Sequence, residues 1–161
     1  MNLEGRIIVV TGAARGLGRA FAEACAQEKA QSIIIADILE EGAATAQALR
    51  AQGHDAHFIR YDQGDPASIE ALAAELTAKF GRIDGLVNNA AIATGIGGKG
   101  YEEIDIDTWD RVMRVNVRGV WLVVKALTPL LRKSTLGGRI VNLASDTALW
   151  GAPKLLHYVG S

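Results

Sequence analysis

Short, uninterrupted apolar runs recur along the chain, and they are separated by stretches in which apolar residues return every three or four positions. A run rich in β-branched residues that stops at a glycine or a polar residue is typical of a strand buried on both faces. The sequence predicts five such strands, at residues 6–12, 32–37, 56–62, 84–90 and 138–145.

The stretches between these strands predict helices. The first helix follows a glycine-rich turn near residue 15, and the second covers residues 39–53 and is ended by Gly53. The third starts at Asp65, an N-cap carboxylate that precedes a first-turn proline. A long fourth helix is predicted over residues 107–133, with Pro129 expected to bend its last turns.

The order of these elements indicates the fold class. Strands and helices alternate at the spacing of βαβ units, which predicts a Rossmann-type, doubly wound parallel α/β sheet with helices on both faces. The 161 residues are interpreted as a single dinucleotide-binding domain, residues 1–161. A sixth strand would follow the fifth in such a fold, so this domain is expected to be incomplete at its C-terminus.

Composition excludes several classes of function. Apolar residues make up 49% and charged residues 22% of the chain, as in ordinary globular domains. A net charge of −1 offers no basic field, so neither nucleic acid nor a membrane is an expected partner. A single cysteine, Cys25, fits a reducing compartment, and no apolar run is long enough for a signal peptide or a membrane span. These features predict a cytoplasmic protein without a metal site.

The stretch TGAARGLG joins the first strand to the first helix and carries Gly12, Gly16 and Gly18. Glycines permit a tight turn and the close approach of a ligand, and the N–H groups at the start of the helix favour a pyrophosphate. The spacing G-x-x-x-G-x-G differs from the common dinucleotide fingerprint, and a tight turn between a strand and a helix needs glycine in any case. A dinucleotide-binding turn and a purely structural turn are therefore both open at this point.

An acidic residue, Asp37, ends the second strand. A carboxylate at this place accepts hydrogen bonds from the adenosine ribose hydroxyls and repels a 2′-phosphate, which favours NAD over NADP. Arg15 favours NADP, because a guanidinium beside the turn can pair with that phosphate. Since the strand holds Asp37 in place while Arg15 is free to turn into solvent, NAD is the predicted cofactor. The alternative role of Asp37 is to cap the second helix.

The sequence resembles the short-chain dehydrogenase/reductase family in four features. They are the stretch TGAARGLG, NNAA at 88–91, Asn116 in the long helix, and Ser145 thirteen residues before Tyr158. Each motif is modest alone, but their order and spacing are specific and extend from residue 6 to the last residue. The resemblance implies a Rossmann-type fold, a nicotinamide cofactor, and hydride transfer between an alcohol and a carbonyl.

The resemblance also implies a cofactor site in three parts. The glycine turn would lie under the pyrophosphate, the ends of the second and third strands beside the adenosine, and NNAA beside the ribose of the nicotinamide. The implied cofactor-binding residues are Thr11, Gly12, Arg15, Gly16, Leu17, Gly18, Asp37, Ile38, Asp62, Gln63, Asn89, Ala90 and Ala91. The family usually has glycine where Ala91 stands, so its methyl group is expected to crowd the cofactor slightly.

The catalytic residues implied by the resemblance are Asn116, Ser145 and Tyr158. Ser145 would hydrogen-bond the substrate oxygen, and Tyr158 would act as the acid/base. Ser145 follows the fifth strand, and open α/β sheets bind ligands at the carboxyl ends of their strands. Asn116 would hold a water molecule in a proton relay. Asparagine is a poor helix former, which suggests a role, although a position on the helix surface is the alternative.

The family has a lysine four residues after the tyrosine, on the same helix face, and its ammonium favours the phenolate. That position is 162, one past Ser161, and Lys154 is not expected to replace it. We therefore expect the sequence to be part of a longer protein, and the 161-residue chain alone to show little or no activity. The alternatives are a binding module that retains the fold without the chemistry, and a non-functional fragment.

The expected partners also follow from the resemblance. Family members pair subunits through the long helix and the tyrosine helix, so a homodimer or homotetramer of the full-length protein is expected. The apolar stretch VRGVWLVVKALTPLL fits an interface and a buried core equally well. The substrate is a small-molecule alcohol or ketone that the sequence does not identify. Topology alone places Thr94, Asp146, Leu149 and Trp150 near the mouth of its pocket.

Overall fold

A computed structural model describes residues 2–161, in which five strands alternate with helices. The strands are β1 (Ile7–Thr11), β2 (Ser32–Asp37), β3 (Ala56–Arg60), β4 (Gly85–Asn88) and β5 (Arg139–Asn142). The α-helices are α1 (Gly16–Gln27), α2 (Glu41–Ala51), α3 (Pro66–Phe80), α4 (Ile106–Val112), α5 (Val120–Leu131), α6 (Thr147–Trp150) and α7 (Leu156–Val159). A 3₁₀ turn (Tyr101–Glu103) precedes α4, and a π-helical segment (Met113–Gly119) joins α4 to α5.

The five strands form one parallel sheet in the order β3-β2-β1-β4-β5. The central strand β1 pairs with β2 on one side and with β4 on the other, so the strand order reverses at β1. The predicted doubly wound parallel sheet is confirmed. Because ligands bind where the strand order reverses, the carboxyl ends of β1, β2 and β4 are where a site is expected.

The apolar runs are continuous because both faces of the sheet are covered. Ile7 and Val9 of β1 belong to a core cluster shared with α3 and α5, while Ile8 and Val10 belong to a second cluster shared with α1 and α2. Successive side chains of a strand point to opposite faces, so a two-sided core requires apolar residues at every position. This is why the first two strands show no alternation of apolar and polar residues.

Four of the five strands are shorter than predicted, and only β2 has its predicted bounds. The residues lost from the carboxyl ends lie in loops at one edge of the sheet, although the N–H groups of Gly12, Tyr61 and Leu143 still donate to the neighbouring strand. The predicted start of α3 is confirmed, since the Asp65 carboxylate accepts a hydrogen bond of 3.0 Å from the Ala67 N–H. No helix within residues 2–161 combines the length and apolar character needed to cross a membrane.

The long helix predicted over residues 107–133 is not a regular α-helix. It starts one residue earlier, at Ile106, ends at Leu131, and widens into the π-helical segment in its middle. There the carbonyl of Val115 accepts a hydrogen bond of 3.0 Å from the Gln63 side chain. A partner from outside the helix satisfies that backbone group, and helices frequently widen in this way at functional positions. Apolar spacing alone does not reveal the change.

Candidate active site at the carboxyl edge of the sheet

The glycine turn packs against the loop that follows β4. Gly12 has a φ angle of +65°, and a β-carbon there would lie 2.8 Å from the Cα of Ala90. A β-carbon on Gly18 would overlap the carbonyl oxygen of Gly12. Only glycine fits these two positions, which supports the structural role considered above. The ligand-binding role has support of its own, because no side chain caps the N-terminus of α1 and its first N–H groups remain available to an anion.

Asp37 lies at the end of β2 with only 6% of its surface exposed. Its Oδ2 accepts a hydrogen bond of 2.8 Å from the Ala14 N–H, and its Oδ1 accepts one of 3.0 Å from the Leu39 N–H. Asp37 does not cap the second helix, because Glu40 is the N-cap of α2. Each carboxylate oxygen can accept a further hydrogen bond. The carboxylate is therefore held in one orientation at the rim of the cleft.

Two adjoining cavities make up the cleft at this edge of the sheet. The larger has a volume of about 750 Å³ and extends from the glycine turn past the ends of β2 and β3. Ten of the residues predicted to bind the cofactor line this larger cavity: Gly12, Arg15, Gly16, Asp37, Ile38, Asp62, Gln63, Asn89, Ala90 and Ala91. The smaller, of about 430 Å³, contains Leu17, Asn116, Ser145 and Tyr158. Asn89, Ala90 and Ala91 line both cavities.

Two predicted site residues, Thr11 and Gly18, are buried and line neither cavity. The Thr11 hydroxyl accepts hydrogen bonds of 3.0 Å from the N–H groups of Asn89 and Ala90. It also donates to the carbonyl of Val87 at 3.3 Å. Thr11 therefore ties the turn after β1 to the loop after β4, and its position supports the cleft wall without facing a ligand.

Gln63 lines the larger cavity, but its side chain is engaged within the protein. Its amide donates hydrogen bonds to the carbonyls of Ala90 at 2.8 Å and Val115 at 3.0 Å. Its Oε1 accepts a hydrogen bond of 2.8 Å from the Tyr61 hydroxyl. Burial raises the pKa of Tyr61, so this phenol stays protonated and remains a donor. Gln63 therefore joins β3, the loop after β4 and the π-helical segment into one wall.

Asn116 lies in the π-helical segment and faces the loop after β4. Its Oδ1 accepts a hydrogen bond of 2.8 Å from the Ile92 N–H, and its Nδ2 donates one of 3.1 Å to the Ile92 carbonyl. Nδ2 also donates to the Ser161 hydroxyl at 2.9 Å. These contacts exclude the alternative of a purely solvent-facing residue on the helix surface.

Ser145 and Tyr158 line the smaller cavity from different elements. Ser145 follows the end of β5, and its Oγ accepts hydrogen bonds from the Thr147 hydroxyl at 2.8 Å and the Thr147 N–H at 3.3 Å. Tyr158 is half-buried in the short helix α7. No lysine within residues 2–161 lines either cavity. Lys154 is exposed, and its carbonyl accepts a hydrogen bond of 3.2 Å from the Gly98 N–H.

Some residues at the cleft were not predicted. Arg111 and Arg114 line the larger cavity, and their spacing of three places them on one helix face, a signal that the sequence contains. Thr147 lines the smaller cavity and follows Ser145 by two residues, a spacing typical of hydroxyl-supported turns. Of the four residues placed near the pocket mouth by topology, Thr94 lines the larger cavity. The other three, Asp146, Leu149 and Trp150, are exposed and lie outside both linings.

The parallel sheet, its reversed strand order and the glycine turn beneath a cleft define the Rossmann-type class of nucleotide-binding folds. Within that class, the family model for short chain dehydrogenase matches residues 6–161. The chain therefore belongs to the short-chain dehydrogenase family.

Individual relatives agree with this assignment. The chain is 40% identical over 152 residues to a sorbitol dehydrogenase of Cereibacter sphaeroides, covering 94% of this chain and 57% of the relative. A crystal structure of a family member from Burkholderia phymatum in complex with NAD superposes with a TM-score of 0.90 at 33% identity, covering 99% of this chain and 56% of that one. A short chain dehydrogenase from Shigella flexneri complexed with NADP gives 0.89 at 28% identity, covering 98% and 66%. The chain thus spans between about half and two thirds of these relatives' lengths.

Proposed function

We propose that this chain is the cofactor-binding and partial catalytic portion of an NAD-dependent oxidoreductase that interconverts an alcohol and a carbonyl. The observation that carries the proposal is the pair of adjoining cavities. Asp37 lies in one, Ser145 and Tyr158 lie in the other, and Asn89, Ala90 and Ala91 line both. A dinucleotide has this extended form, with its adenosine at one end and its reactive ring at the other.

The residues present fit such a cofactor. The uncapped start of α1 would receive the pyrophosphate, and nothing lies within 4 Å of where a β-carbon on Gly16 would project. The Asp37 carboxylate would accept hydrogen bonds from the adenosine ribose, with Ile38 and Asp62 beside the same end of the cleft. Because two backbone N–H groups fix its orientation, Asp37 would also meet a 2′-phosphate with its negative charge. This supports NAD over NADP, although Arg15, Arg111 and Arg114 line the same cavity.

The bound nicotinamide would accept or supply the hydride. Ser145, whose hydroxyl oxygen accepts from Thr147, would donate its own hydrogen to the substrate oxygen. Tyr158, which lines the same cavity, would take the proton from the alcohol or return it to the carbonyl oxygen. Asn116 would hold the loop after β4 in place through its two hydrogen bonds to Ile92. Its Oδ1 could accept one further hydrogen bond, from a water molecule.

The 161 residues by themselves are expected to bind the dinucleotide without efficient catalysis. Tyr158 has no lysine within residues 2–161 in the cavity that it lines, so no ammonium is there to favour the phenolate. We therefore expect the 161-residue chain alone to bind NAD with little or no turnover. Robust NAD-dependent oxidation of alcohols by this chain would refute that expectation.

Calorimetric titration with NAD⁺ and NADP⁺ tests the proposal. Asp37→Ala removes hydrogen bonds to a charged acceptor, each worth about 1.5–3 kcal/mol, so the affinity for NAD⁺ should fall at least ~10-fold. The preference over NADP⁺ should fall as well. Gly16→Leu places a side chain at the helix tip, where φ is +58°, and should abolish measurable binding. The matched control is Glu41→Ala, which removes an exposed carboxylate in the first turn of α2. Unchanged NAD⁺ affinity in Asp37→Ala and Gly16→Leu would overturn the proposal.

A further inference from the structure

Within residues 2–161, one residue, Thr147, hydrogen-bonds the side chain of Ser145. The Thr147 hydroxyl donates to Ser145 Oγ at 2.8 Å, and the Thr147 N–H donates to the same oxygen at 3.3 Å. Both side chains line the smaller cavity, as does Tyr158. The Ser145 hydroxyl therefore owes its polar surroundings in the described part of the chain to a residue only two positions further on.

Packing does little to fix the side chain of Ser145. The residue follows the exposed strand β5, and Ala144, Asp146 and Ala148 around it are all exposed. A serine side chain has three staggered rotamers, and an exposed loop offers few contacts that exclude any of them. The direction of the Ser145 hydroxyl is therefore set by hydrogen bonding, and Thr147 provides that bonding.

Thr147 is itself held by the local backbone. It is the first residue of α6, and its carbonyl accepts a hydrogen bond of 2.8 Å from the Gly151 N–H. The Ala148 N–H donates to the Ser145 carbonyl at 3.2 Å, which closes the turn between Ser145 and Thr147. Because threonine is β-branched, its χ1 angle is more restricted than that of serine. The Thr147 hydroxyl is thus a well-ordered partner for Ser145 Oγ.

The hydrogen-bonding capacity of a hydroxyl group limits what Ser145 can do. A hydroxyl oxygen has one hydrogen to donate and two lone pairs that accept. Thr147 supplies a donor to each lone pair, so the capacity left at Ser145 is its own hydrogen. A substrate oxygen in the smaller cavity would therefore meet a donor in Ser145 and not an acceptor.

We propose that Thr147 is a positioning residue: its two donors hold Ser145 in one rotamer and leave the serine only a hydrogen to donate into the smaller cavity. A donor at this place stabilises negative charge that develops on the substrate oxygen. The proton of an alcohol substrate is then left for Tyr158, because Ser145 has no free lone pair to receive it. This consequence rests on the proposed function, whereas the orientation of Ser145 is measurable without it.

The rotamer of Ser145 is measured by NMR through the couplings between its α and β hydrogens. In the wild-type chain we expect the couplings of a single rotamer. Thr147→Val keeps the branched shape and the N–H but removes the hydroxyl, so the couplings should move toward those of a serine that samples all three rotamers. Loss of one such hydrogen bond should change the rotamer populations by about 2- to 10-fold. Thr147→Ser restores the hydroxyl and should return the couplings toward wild type.

Two controls show whether the effect is specific to this pair. Thr77→Val removes an exposed hydroxyl that donates to the Ala73 carbonyl at 2.7 Å, and it should leave the Ser145 couplings unchanged. Ser68, whose Oγ accepts from the Asp62 N–H at 2.8 Å, should keep its own couplings in every variant.

A role of Thr147 in the turn alone predicts a different result. In that case Thr147→Val would also shift the amide signals of Ala148 and Gly151, which report the turn and α6; we expect them to stay in place. Averaged Ser145 couplings in the wild-type chain, wild-type couplings in Thr147→Val, or no restoration by Thr147→Ser would each overturn the proposal. Should Thr147→Val disturb α6, the wild-type couplings and Thr147→Ser still decide the question.

Neutron diffraction from a crystal of the deuterated chain tests the direction of the hydrogen bond. We expect the Thr147 deuterium between the two hydroxyl oxygens and the Ser145 deuterium directed into the cavity. A Ser145 deuterium directed at the Thr147 oxygen would overturn the assignment of Ser145 as a donor to the cavity. Absence of NAD⁺ binding by the wild-type chain would count against the proposed function alone, since neither measurement on Ser145 needs a cofactor.

Discussion

The central strands and the fifth strand belong to the same parallel sheet but differ in burial. All five side chains of β1 and all six of β2 are buried, whereas all four residues of β5 are exposed. In β5, Ile140 is 40% exposed and Val141 54% exposed, although both strands of the β4–β5 pair keep regular parallel register. Asp37 ends the buried strand β2, whereas Ser145 follows the exposed strand β5.

Within the 161 residues, this difference gives the strands around the glycine turn and the strand before Ser145 unequal support from packing. A fully buried apolar side chain contributes about 1.5–3 kcal/mol, so the strands behind the glycine turn and Asp37 are strongly held. Ser145 and Tyr158 depend instead on a few polar contacts. These are the Asn88–Asn142 side-chain hydrogen bond of 2.8 Å, the Thr147–Ser145 bond of 2.8 Å, and the bond of 2.9 Å from the Tyr158 N–H to the Leu155 carbonyl. The two ends of the cleft should therefore respond differently to mutation.

The largest expected contrast comes from one substitution made in both regions. Ile34→Ala, at a position with no exposed surface in β2, should lower the free energy of unfolding by about 3 kcal/mol. Ile140→Ala in β5 should lower it by about 1 kcal/mol or less, because much of that side chain is already in water. Urea denaturation monitored by circular dichroism measures both values. Equal losses for the two variants would remove the distinction between the regions.

A smaller effect is expected at Asp84, which joins the two regions. Its carboxylate accepts hydrogen bonds from the Ile7 N–H of β1 at 2.9 Å and from the Ser134 hydroxyl before β5. Burial works to raise the pKa of Asp84, but these hydrogen bonds and Arg82 outweigh it and hold the pKa below its usual range. Asp84→Asn should cost about 2 kcal/mol at neutral pH.

The pH dependence of that loss has a definite sign. A lowered folded-state pKa stabilises the protein above the unfolded-state value, near ~4, and this stability is lost as pH falls through the folded-state pKa. The difference in unfolding free energy between wild type and Asp84→Asn should therefore shrink as pH falls below ~4. Urea denaturation at several pH values measures it, with the exposed Asp110→Asn as control. A difference that grows in acid would contradict this assignment.

The smallest effects concern two N-caps with the same chemistry. The Asp65 carboxylate accepts from the Ala67 N–H at the start of α3, and the Asp105 carboxylate accepts from the Thr108 N–H at the start of α4. Asp65→Ala should lower global stability by about 1 kcal/mol, because α3 buries Ile69, Leu72 and Leu76 in the core. Asp105→Ala should instead accelerate hydrogen exchange within α4 and leave the urea midpoint nearly unchanged, since α4 buries only Val112. A shift of the urea midpoint in Asp105→Ala as large as that in Asp65→Ala would contradict the comparison.

The candidate site was predictable where its signal lies in local chemistry. The glycine turn, Asp37 at the end of β2 and the N-cap Asp65 each combine a residue type with a position that a neighbouring strand or helix defines. The partners of Gln63 and Thr11 were not predictable, because their hydrogen bonds are long-range. Gln63 bonds to residues that lie 27 and 52 positions further along the chain, and Thr11 to residues 76 to 79 positions further along. The burial of His157 was missed for the same reason, since the loop and helix residues that share a small cavity with it lie 49 to 62 positions earlier.

By itself the sequence determined that this chain folds as a parallel, doubly wound sheet with a glycine-rich turn after its first strand. Continuous apolar runs require cover on both faces, and helices between them are the way to provide it. Only the tertiary structure decided that the helix before β5 widens at Asn116, and that Thr11 and Gly18 support the cleft from behind. The spacing of apolar residues shows which faces of a strand or helix must be buried, whereas long-range packing decides which residues bury them.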